Sequence, residues 1–397
     1  MSGAHVLPIA QPLTLPCGAT LKNRIAKSAM SDSLGDGAGN PTDDQIRLYE
    51  RWAKGGLALS IIGEVQGTPH FAEKPGNLVV NGHSDREQLE RLAFAGATDG
   101  AHLWLQLGHA GAMADAAISM PKGPSALDLP GLNCGAISLD EIQDLPAEFA
   151  RTANLAKQLG FRGIELHAAH GFLLNQFLSP LFNKREDAYG GSLPNRMRLL
   201  LEVISAVRDA VGPEFPVGIK LNATDQLEGG FAEDESLDVI AAIDKTSIDL
   251  IDISGGTYFP GAASSSDRAG SGPYFLDFAR RARARTRIPL MVTGGFKTRA
   301  QAENAIAVGF ADVIGLARAM VVEPELPSYW LSGLRDEPKF PRFKDPPEGG
   351  VTAWYTMQIT QIANREAALS SDALDEAIAA YESRDEARRK IWKSKLL

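Results

Sequence analysis

Eight short apolar segments, each followed by an amphipathic helical pattern, constrain the fold of this chain more than any other feature. The first covers residues 24–30, the last covers residues 311–315, and a helical pattern lies after each one. Apolar strands with few charges that alternate with helices favour a parallel sheet covered by helices. Eight such units predict closure into an α/β fold of the (β/α)8 TIM-barrel type, which can use most of a chain of 397 residues as one domain.

An open, doubly wound parallel sheet is the alternative fold. In its dinucleotide-binding form, that sheet carries a G-x-G-x-x-G fingerprint between its first strand and the following helix. The nearest segment here, residues 35–39, has its glycines in another order and precedes no clear buried helix. The sequence therefore favours the barrel.

Two segments depart from the alternation of strands and helices. Residues 108–139 form a polar excursion rich in Pro and Gly, and long connections of this kind are usually functional loops or carry small elements of their own. Beyond Pro324 the composition becomes charged and Pro-rich, and then helix-forming. We therefore expect a barrel domain at residues 1–325 and a helical C-terminal extension at 326–397, packed on or beside the barrel and a candidate homo-oligomer contact. A solvated charged tail over about the last 25 residues is the alternative.

Composition and charge exclude several classes of function. The net charge of -9 and the pI of about 5.4 disfavour binding to nucleic acid or to an anionic membrane surface. No apolar run is long enough to span a bilayer. The two cysteines, Cys17 and Cys134, and an N-terminus without the layout of a secretion signal favour a cytoplasmic protein. The tripeptide at residues 394–396 resembles a peroxisomal signal, but Leu397 follows it, and such signals are read at the very end of a chain.

Two histidines follow the fourth apolar segment and mark a candidate active site. His167 and His170 lie three residues apart, where a strand passes into a loop. Imidazole N–H groups at this spacing can point at one oxygen and polarise a carbonyl without a metal. Ordinary loop histidines are the alternative. A metal site that includes Glu165 is less favoured, because it would leave the glycine-rich turns described next without a role, and we expect no metal.

Glycine-rich turns follow the last two predicted strands. Gly294 and Gly295 precede one helix, and Ala317 and Arg318 precede the next. Barrels bind phosphate at this place, through backbone N–H groups at a helix start and a nearby cation. Glycines that only permit tight turns are the alternative.

Two further polar residues close predicted strands. Lys220 ends the fifth apolar segment, so we expect its amine to emerge at the barrel rim, where a cation could stabilise negative charge on a bound cofactor. A structural ion pair is the alternative for Lys220. Gln106 ends the third segment and offers the donor and acceptor that an imide-like edge requires.

Longer motifs then reveal a family resemblance. The segments LKNRI at residues 21–25, QLGHAG at 106–111, HAAHGFLLNQFLSP at 167–180 and DAYGGS at 187–192 resemble the Old Yellow Enzyme family, as do the two glycine turns. The motifs stand in the family's order over residues 7 to 325, and the histidine string is highly specific. The resemblance implies a barrel oxidoreductase with tightly bound FMN that takes hydride from NAD(P)H and passes it to an activated alkene.

The resemblance also implies roles for individual residues. His167 and His170 would hydrogen-bond the substrate's carbonyl or nitro oxygen, and the nicotinamide would use the same face of the flavin in alternation. The implied flavin contacts are Gln106 at the pyrimidine edge, Lys220 on the N1/O2 side, Ala29, Met30, Ser31 and Glu64 or Val65 near N5 and O4, and Gly294, Gly295, Ala317 and Arg318 at the phosphate.

One departure from the family concerns the proton. Members commonly read His-Gly-Tyr, with the tyrosine set to protonate the alkene carbon, whereas this chain has Phe172, which lacks the O–H group. Water could supply the proton, Tyr258 could substitute, or the acceptor could be quinone-like and need no carbon protonation. Desaturation, plain NAD(P)H oxidation, or flavin binding with little turnover are therefore kept as alternative functions.

Overall fold

The structure of the protein is a computed structural model that describes residues 7–259 and 272–397. Eight parallel strands pair in chain order, and the eighth pairs with the first, so that the sheet closes into a barrel. The (β/α)8 prediction is confirmed. The barrel strands are β1 (Ile25–Met30), β2 (Leu59–Gln66), β3 (His102–Gly108), β4 (Ile164–Ala168), β5 (Val217–Asn222), β6 (Leu250–Ser254), β7 (Leu290–Thr293) and β8 (Val313–Leu316).

One helix follows each barrel strand and covers the outside of the sheet. These helices are α1 (Asp43–Lys54), α2 (Arg86–Gly96), α3 (Leu139–Gln158), α4 (Arg198–Val211), α5 (Glu233–Ile243), α6 (Leu276–Ala282), α7 (Arg299–Ala307) and α8 (Arg318–Val322). Helix α1 begins after Thr42, whose hydroxyl accepts a hydrogen bond from the Gln45 backbone N–H at 3.3 Å. A threonine cap of this kind satisfies one of the free N–H groups at a helix start.

The excursion predicted at residues 108–139 carries small elements of its own. It contains the short strands Lys122–Gly123, Leu127–Leu129 and Leu132–Ala136. Helix α3 begins at Leu139, the last residue of the predicted excursion. The reason is a capping box at Ser138, where the hydroxyl accepts from the Glu141 N–H and the Glu141 carboxylate accepts from the Ser138 N–H.

Smaller elements complete the description of the barrel. An antiparallel pair, Leu13–Thr14 with Leu21–Thr20, precedes the barrel, and the short helices Leu173–Leu178 and Leu193–Arg196 lie in the connection after β4. Within the described ranges, no helix is both long enough and apolar enough to cross a membrane.

Three helices follow the barrel: α9 (Leu326–Ser332), α10 (Gly350–Asn364) and α11 (Leu374–Lys395). Helix α11 packs on the loops that follow β1, β2 and β3. Its Trp392 is fully buried in a small apolar cluster with residues of these loops. Arg388 donates to the Ser33 carbonyl oxygen at 2.5 Å, and Arg389 forms an ion pair with Asp115 at 3.0 Å. The last helix therefore holds loops at the end of the barrel where functional groups are expected.

Candidate active site

The residues predicted to act lie together at the carboxyl ends of the strands. His167 is in β4, His170 and Phe172 follow it directly, and Tyr258 lies just after β6. The His170 and Tyr258 ring centroids are 5.4 Å apart, and those of His167 and Phe172 are 4.6 Å apart. One mouth therefore brings these four side chains into contact.

Four side chains at this mouth form what we call the histidine chain: Glu64, His167, His170 and Ser254. Glu64 Oε1 lies 3.0 Å from His167 Nδ1, His167 Nε2 lies 3.2 Å from His170 Nδ1, and His170 Nε2 lies 2.8 Å from Ser254 Oγ. Glu64, His167 and Ser254 are buried, and His170 is half-buried. The first link is open, because His167 Nδ1 and Glu64 Oε2 complete no hydrogen bond within the described ranges despite the short distance.

A bulge in β2 directs Glu64 into the mouth. The pairing of β2 with β3 shifts register between Ile62 and Val65, and Glu64 has a φ of 58°. Gly63 is required beside it, because an added Cβ would lie 2.5 Å from the Met30 carbonyl carbon. Bulges commonly re-aim a side chain next to a functional site, and this one points a carboxyl group at His167.

Backbone contacts hold His170 in a conformation that non-glycine residues rarely adopt. Its φ is 61°, and its N–H donates to Asn222 Oδ1 at 3.0 Å. Its carbonyl oxygen accepts from the Tyr258 N–H at 3.1 Å, and the next N–H, of Gly171, donates to Asn175 Oδ1 at 2.7 Å. Such a conformation persists only where the surroundings determine it fully, and here they fix the ring toward His167.

The electrostatics of the mouth keep the imidazoles neutral. Burial lowers the pKa of His167, and nearby Lys220 lowers it further. Burial and the neighbouring His167 likewise hold the pKa of His170 well below its usual range. For Glu64, burial raises the pKa to about 8, because the charged form is poorly solvated, and Lys220 opposes this rise only in part. At neutral pH the chain therefore contains two neutral rings and a carboxylic acid.

A second set of polar groups lies deeper, and we call Ser28, Lys220, Asp252 and Thr293 the interior cluster. Lys220 Nζ donates to Asp252 Oδ2 at 2.5 Å and to Ser28 Oγ at 2.7 Å, and Thr293 Oγ1 donates to Asp252 Oδ1 at 2.6 Å. The expectation that the Lys220 amine emerges at the rim differs from this geometry, since the side chain is 1% exposed. Pairing with Asp252 draws it inward, because an unpaired buried ammonium is costly.

Lys220 and its neighbour Glu165 both have shifted pKa values. Burial alone would lower the pKa of Lys220, but the Asp252 and Glu165 carboxyl groups outweigh it and hold that pKa above its usual value. Burial raises the pKa of Glu165 to about 8, against the influence of Lys220, whose Nζ lies 3.8 Å away. Gln106 Nε2 donates to Glu165 Oε2 at 2.7 Å. The predicted contact residue Gln106 is thus already oriented by a buried partner.

Phe172, which has no hydroxyl group, lies in an apolar environment. It is 1% exposed and packs with Ala110, Ala114, Phe71 and Met113. Tyr258 is 60% exposed, and its ring centroid lies 6.1 Å from that of Phe172. A phenol that contacts the histidine chain is therefore on the loop after β6, whereas the loop after β4 has Phe172.

The two glycine turns differ in how open they are. Gly294 and Gly295 have φ values of 107° and 82°, and within residues 7–259 and 272–397 their N–H groups find no acceptor. Ala317 precedes α8 in a non-helical conformation. Arg318 is exposed, and its guanidinium lies 5.4 Å from the ring centroid of Tyr355 in α10. Free N–H groups and an arginine at one end of the barrel suit an anionic group.

The residues predicted near the flavin ring end β1 and β2. Ala29, Met30 and Ser31 are half-buried, whereas Val65 is fully buried. Asn77 Nδ2 donates to Ser31 Oγ at 3.3 Å. Of the two candidates at the end of β2, Glu64 has an unpaired oxygen at the mouth, whereas Val65 packs in the hydrophobic core.

Sequence reasoning missed the residues that support these groups. Asp252, Asn222 and Asn175 contact Lys220 or the backbone around His170, yet each lies within an apolar or mixed segment. The contact of Asp252 could not be found from the sequence, because it depends on the register of β5 and β6, which sets Asp252 opposite Lys220. Within the described residues, no group of three or more His, Cys, Asp or Glu side chains is arranged to hold a metal ion.

Known proteins resemble this chain over most of its length. The NADH:flavin oxidoreductase / NADH oxidase family matches residues 8–337. An NADH-dependent flavin oxidoreductase from Hypocrea jecorina is 34% identical over 350 residues, which cover 80% of this chain and 87% of the relative. An NADPH dehydrogenase from Bacillus licheniformis is 33% identical over 319 residues, covering 79% of this chain and 90% of the relative.

Solved structures share the fold. The old yellow enzyme homologue from Zymomonas mobilis superposes with a TM-score of 0.73 at 23% identity, covering 88% of this chain and 98% of that protein. At this identity the likeness speaks for the barrel architecture alone. The family match and the shared barrel fold therefore agree with each other.

Proposed function

The chain belongs to the NADH:flavin oxidoreductase / NADH oxidase family, the Old Yellow Enzyme family, and on that premise we propose that it reduces the carbon–carbon double bond of activated alkenes. The family uses FMN as cofactor and NAD(P)H as hydride donor, so the chain is an oxidoreductase. Enones, maleimides and nitroalkenes are the substrate classes of the proposal. The observation that carries it is the pair of neutral imidazoles at the barrel mouth, which suits one substrate oxygen.

The residues of the mouth fit FMN. The N–H groups of Gly294 and Gly295 are without acceptors in the described ranges, and Arg318 stands at the adjacent turn, as a phosphate requires. Buried polar atoms without partners, Glu64 Oε2 and Thr257 Oγ1, lie near the same mouth and suit a polar ring edge. When bound, FMN accepts hydride from NAD(P)H and delivers it to the acceptor.

The proposed contacts follow from these positions. Gly294, Gly295, Ala317 and Arg318 hold the phosphate, and Gln106 meets the pyrimidine edge, oriented by Glu165. Lys220 supplies a positive charge from below, on the N1/O2 side, while Ala29, Met30, Ser31 and Glu64 or Val65 line the ring near N5 and O4.

The chain's own residues then act on the substrate. His167 and His170 donate hydrogen bonds to the carbonyl or nitro oxygen and stabilise the negative charge that develops there when hydride arrives. The facing nitrogens of the two rings are 3.2 Å apart, so the substrate oxygen replaces the contact between the rings. Phe172 has no proton to offer, so water or Tyr258 protonates the carbon, and the exposed Tyr258 ring beside His170 and Phe172 favours the second source.

A second candidate function rests on Phe172. Within the described ranges, the apolar cluster around Phe172 consists of Ala110, Ala114, Phe71 and Met113, which carry no hydroxyl group, and this suits an acceptor that needs no proton on carbon. A quinone-like compound meets that condition, because its oxygens take up the protons. Plain NAD(P)H oxidation would likewise need no proton on carbon, whereas desaturation would need a base that takes the proton from the substrate carbon.

Anaerobic assays with the FMN-loaded protein separate these functions. We expect steady NAD(P)H consumption with cyclohex-2-enone or N-ethylmaleimide, and a product with two additional hydrogens by mass spectrometry. Consumption with a benzoquinone but with neither alkene would favour the second function. A purified protein that is colourless after FMN has been added and the unbound FMN removed would overturn both.

The setting of the reaction is also part of the proposal. A cytoplasmic location suits the free thiols Cys17 and Cys134. The partners are a small-molecule acceptor and NAD(P)H, with no nucleic acid or membrane, and self-association would use the extension beyond residue 325.

A further inference from the structure

Glu64 contacts the histidine pair from the side opposite to the substrate oxygen proposed above. Its Oε1 lies 3.0 Å from His167 Nδ1, whereas His167 Nε2 faces His170. In a neutral imidazole, one nitrogen carries the proton and the other accepts, and the partner of one nitrogen decides the state of the other. The state of the Glu64 carboxyl group therefore decides what His167 Nε2 can do.

The two states of Glu64 have opposite effects. As a carboxylic acid, Glu64 donates its proton toward Nδ1, so Nε2 carries the ring proton and is a hydrogen-bond donor. As a carboxylate, Glu64 accepts from Nδ1–H, so Nε2 keeps only a lone pair and repels a substrate oxygen. Only the acid form of Glu64 is compatible with the oxygen-binding role of His167.

We propose that Glu64 is a positioning residue that, as a carboxylic acid, fixes His167 as the Nε2–H tautomer and thereby keeps a donor directed at the substrate oxygen. The inference rests on the proposed function for the role of His167, whereas the coupling of Glu64 to the ring rests on the 3.0 Å distance between Glu64 Oε1 and His167 Nδ1, at which the carboxyl proton completes the hydrogen bond. The bulge at Gly63 and Glu64 makes this contact possible, because a regular strand would direct the Glu64 side chain away from His167.

The surroundings of Glu64 favour the acid form at neutral pH. Its neighbours with charge or titratable groups are His167 in β4, Lys220 in β5, Tyr258 after β6 and Glu73 on the loop after β2. Burial raises the pKa of Glu64 to about 8, and Lys220, the cation among these neighbours, is already paired with Asp252. The donor at His167 Nε2 is therefore present below about pH 8 and is lost above it.

Histidine-ring NMR of the full-length, FMN-loaded protein tests the coupling without any turnover. The protein is labelled with 15N-histidine, and the His167 signals among the seven histidines are identified by their loss in His167→Asn. We expect the wild-type His167 ring to change from Nε2–H to Nδ1–H with a midpoint near pH 8. In Glu64→Gln, whose amide cannot titrate, that change should vanish.

Glu73→Gln is the matched control. Glu73 is a half-buried carboxyl group whose pKa burial raises to about 7, and within the described ranges it has no hydrogen bond or ion pair with a histidine. Its loss should therefore leave the His167 change in place, with a slightly lower midpoint because Glu64 loses one negatively charged neighbour. A wild-type ring with a single tautomer from pH 6 to 10, or a change that persists in Glu64→Gln, would overturn the proposal.

Rates of cyclohex-2-enone reduction by the reduced protein give the second readout. We expect the wild-type rate to fall about tenfold or more above pH 8, the Glu64→Gln rate to be flat with pH, and Glu64→Leu, which cannot orient the ring, to be slow throughout. A wild type that reduces no alkene but shows the tautomer change would defeat the proposed function and leave the coupling intact. Alkene reduction with no tautomer change would do the reverse.

Discussion

The interior cluster and the histidine chain are both buried sets of polar groups at the same end of the barrel, yet they differ in completeness. In the interior cluster, Lys220, Asp252, Ser28 and Thr293 leave no buried polar atom without a partner. In the histidine chain, Glu64 Oε2 and His167 Nδ1 remain unpaired. Buried polar groups are nearly always hydrogen-bonded in a finished structure. The difference indicates that the interior cluster stabilises the fold, whereas the histidine chain has polar atoms free to bind another molecule.

Breaking the interior cluster should have the largest effect, on stability. Asp252→Asn leaves the Lys220 ammonium buried without its carboxylate at 2.5 Å. We expect the free energy of unfolding in urea to fall by about 3–5 kcal/mol, as is typical for removal of one partner of a buried ion pair. The double variant Lys220→Met with Asp252→Leu should recover most of the loss. An Asp252→Asn protein as stable as the wild type would remove the distinction between the two sets.

Breaking the histidine chain should instead affect catalysis. His167→Ala removes a donor to the substrate oxygen, and we expect enone reduction to slow by about 10²–10³-fold, the usual cost of one such donor. The loss of stability should be clearly smaller than that of Asp252→Asn, and FMN should remain bound. His83→Ala, at an exposed histidine, is the control and should change neither quantity. Equal destabilisation by the His167 and Asp252 variants would contradict the comparison.

Adding a hydroxyl group at the mouth sharpens the comparison from the other direction. Phe172→Tyr places a phenol 4.6 Å, ring to ring, from His167, where the family commonly has its proton donor. We expect the oxidative half-reaction with enones to accelerate about tenfold, the low end of general acid catalysis, and flavin reduction by NAD(P)H to stay unchanged. Stopped-flow absorbance separates the two half-reactions.

Tyr258→Phe is the companion variant to Phe172→Tyr. If Tyr258 supplies the proton, its loss slows the oxidative half-reaction, and Phe172→Tyr restores the rate in the double variant. An unchanged rate in Tyr258→Phe would leave water as the donor.

The last prediction separates the effect of burying a carboxyl group on stability from the effect of its contact with the histidines. The pKa of Glu73 is raised to about 7, so the folded protein binds this proton more tightly than the unfolded chain. Its contribution to stability is therefore complete below the unfolded pKa of about 4.3 and is lost as the pH rises through 7. Glu73→Gln should remove up to about 2.5 kcal/mol of the stability loss measured between pH 5 and 9 by urea unfolding. Glu64 acts in the same direction, so Glu64→Gln should reduce the loss at a higher pH.

Much of the fold could be predicted because each barrel strand is a short apolar segment that its own sequence reveals. The segment 59–66 is apolar and lies between helical patterns, so its place in a barrel follows from order alone. Boundaries depended on caps: the box at Ser138 extended α3 beyond its apolar pattern. The exposed or buried state of α11 could not be read from its charged sequence, because the burial of Trp392 depends on loops some 300 residues away.

The site could be predicted as a set of residues but only partly as a geometry. The histidine string, the glycine turns and Phe172 are visible in the sequence. The direction of Lys220 is not, because it depends on the register that sets Asp252 opposite it. The contact between Glu64 and His167 also escapes prediction, because it needs a bulge between Ile62 and Val65 that no composition rule identifies.

The packing of α11 gives the molecule an order of assembly in time. Trp392, Arg388 and Arg389 contact the loops after the first three strands, so these loops receive contacts from residues that are translated after the barrel strands. At 5–20 residues per second, the ribosome needs about 4–15 s to pass from Leu316, the end of β8, to Trp392. During that interval, all eight strands have been synthesised, but the loops after β1, β2 and β3 still lack their contacts with α11.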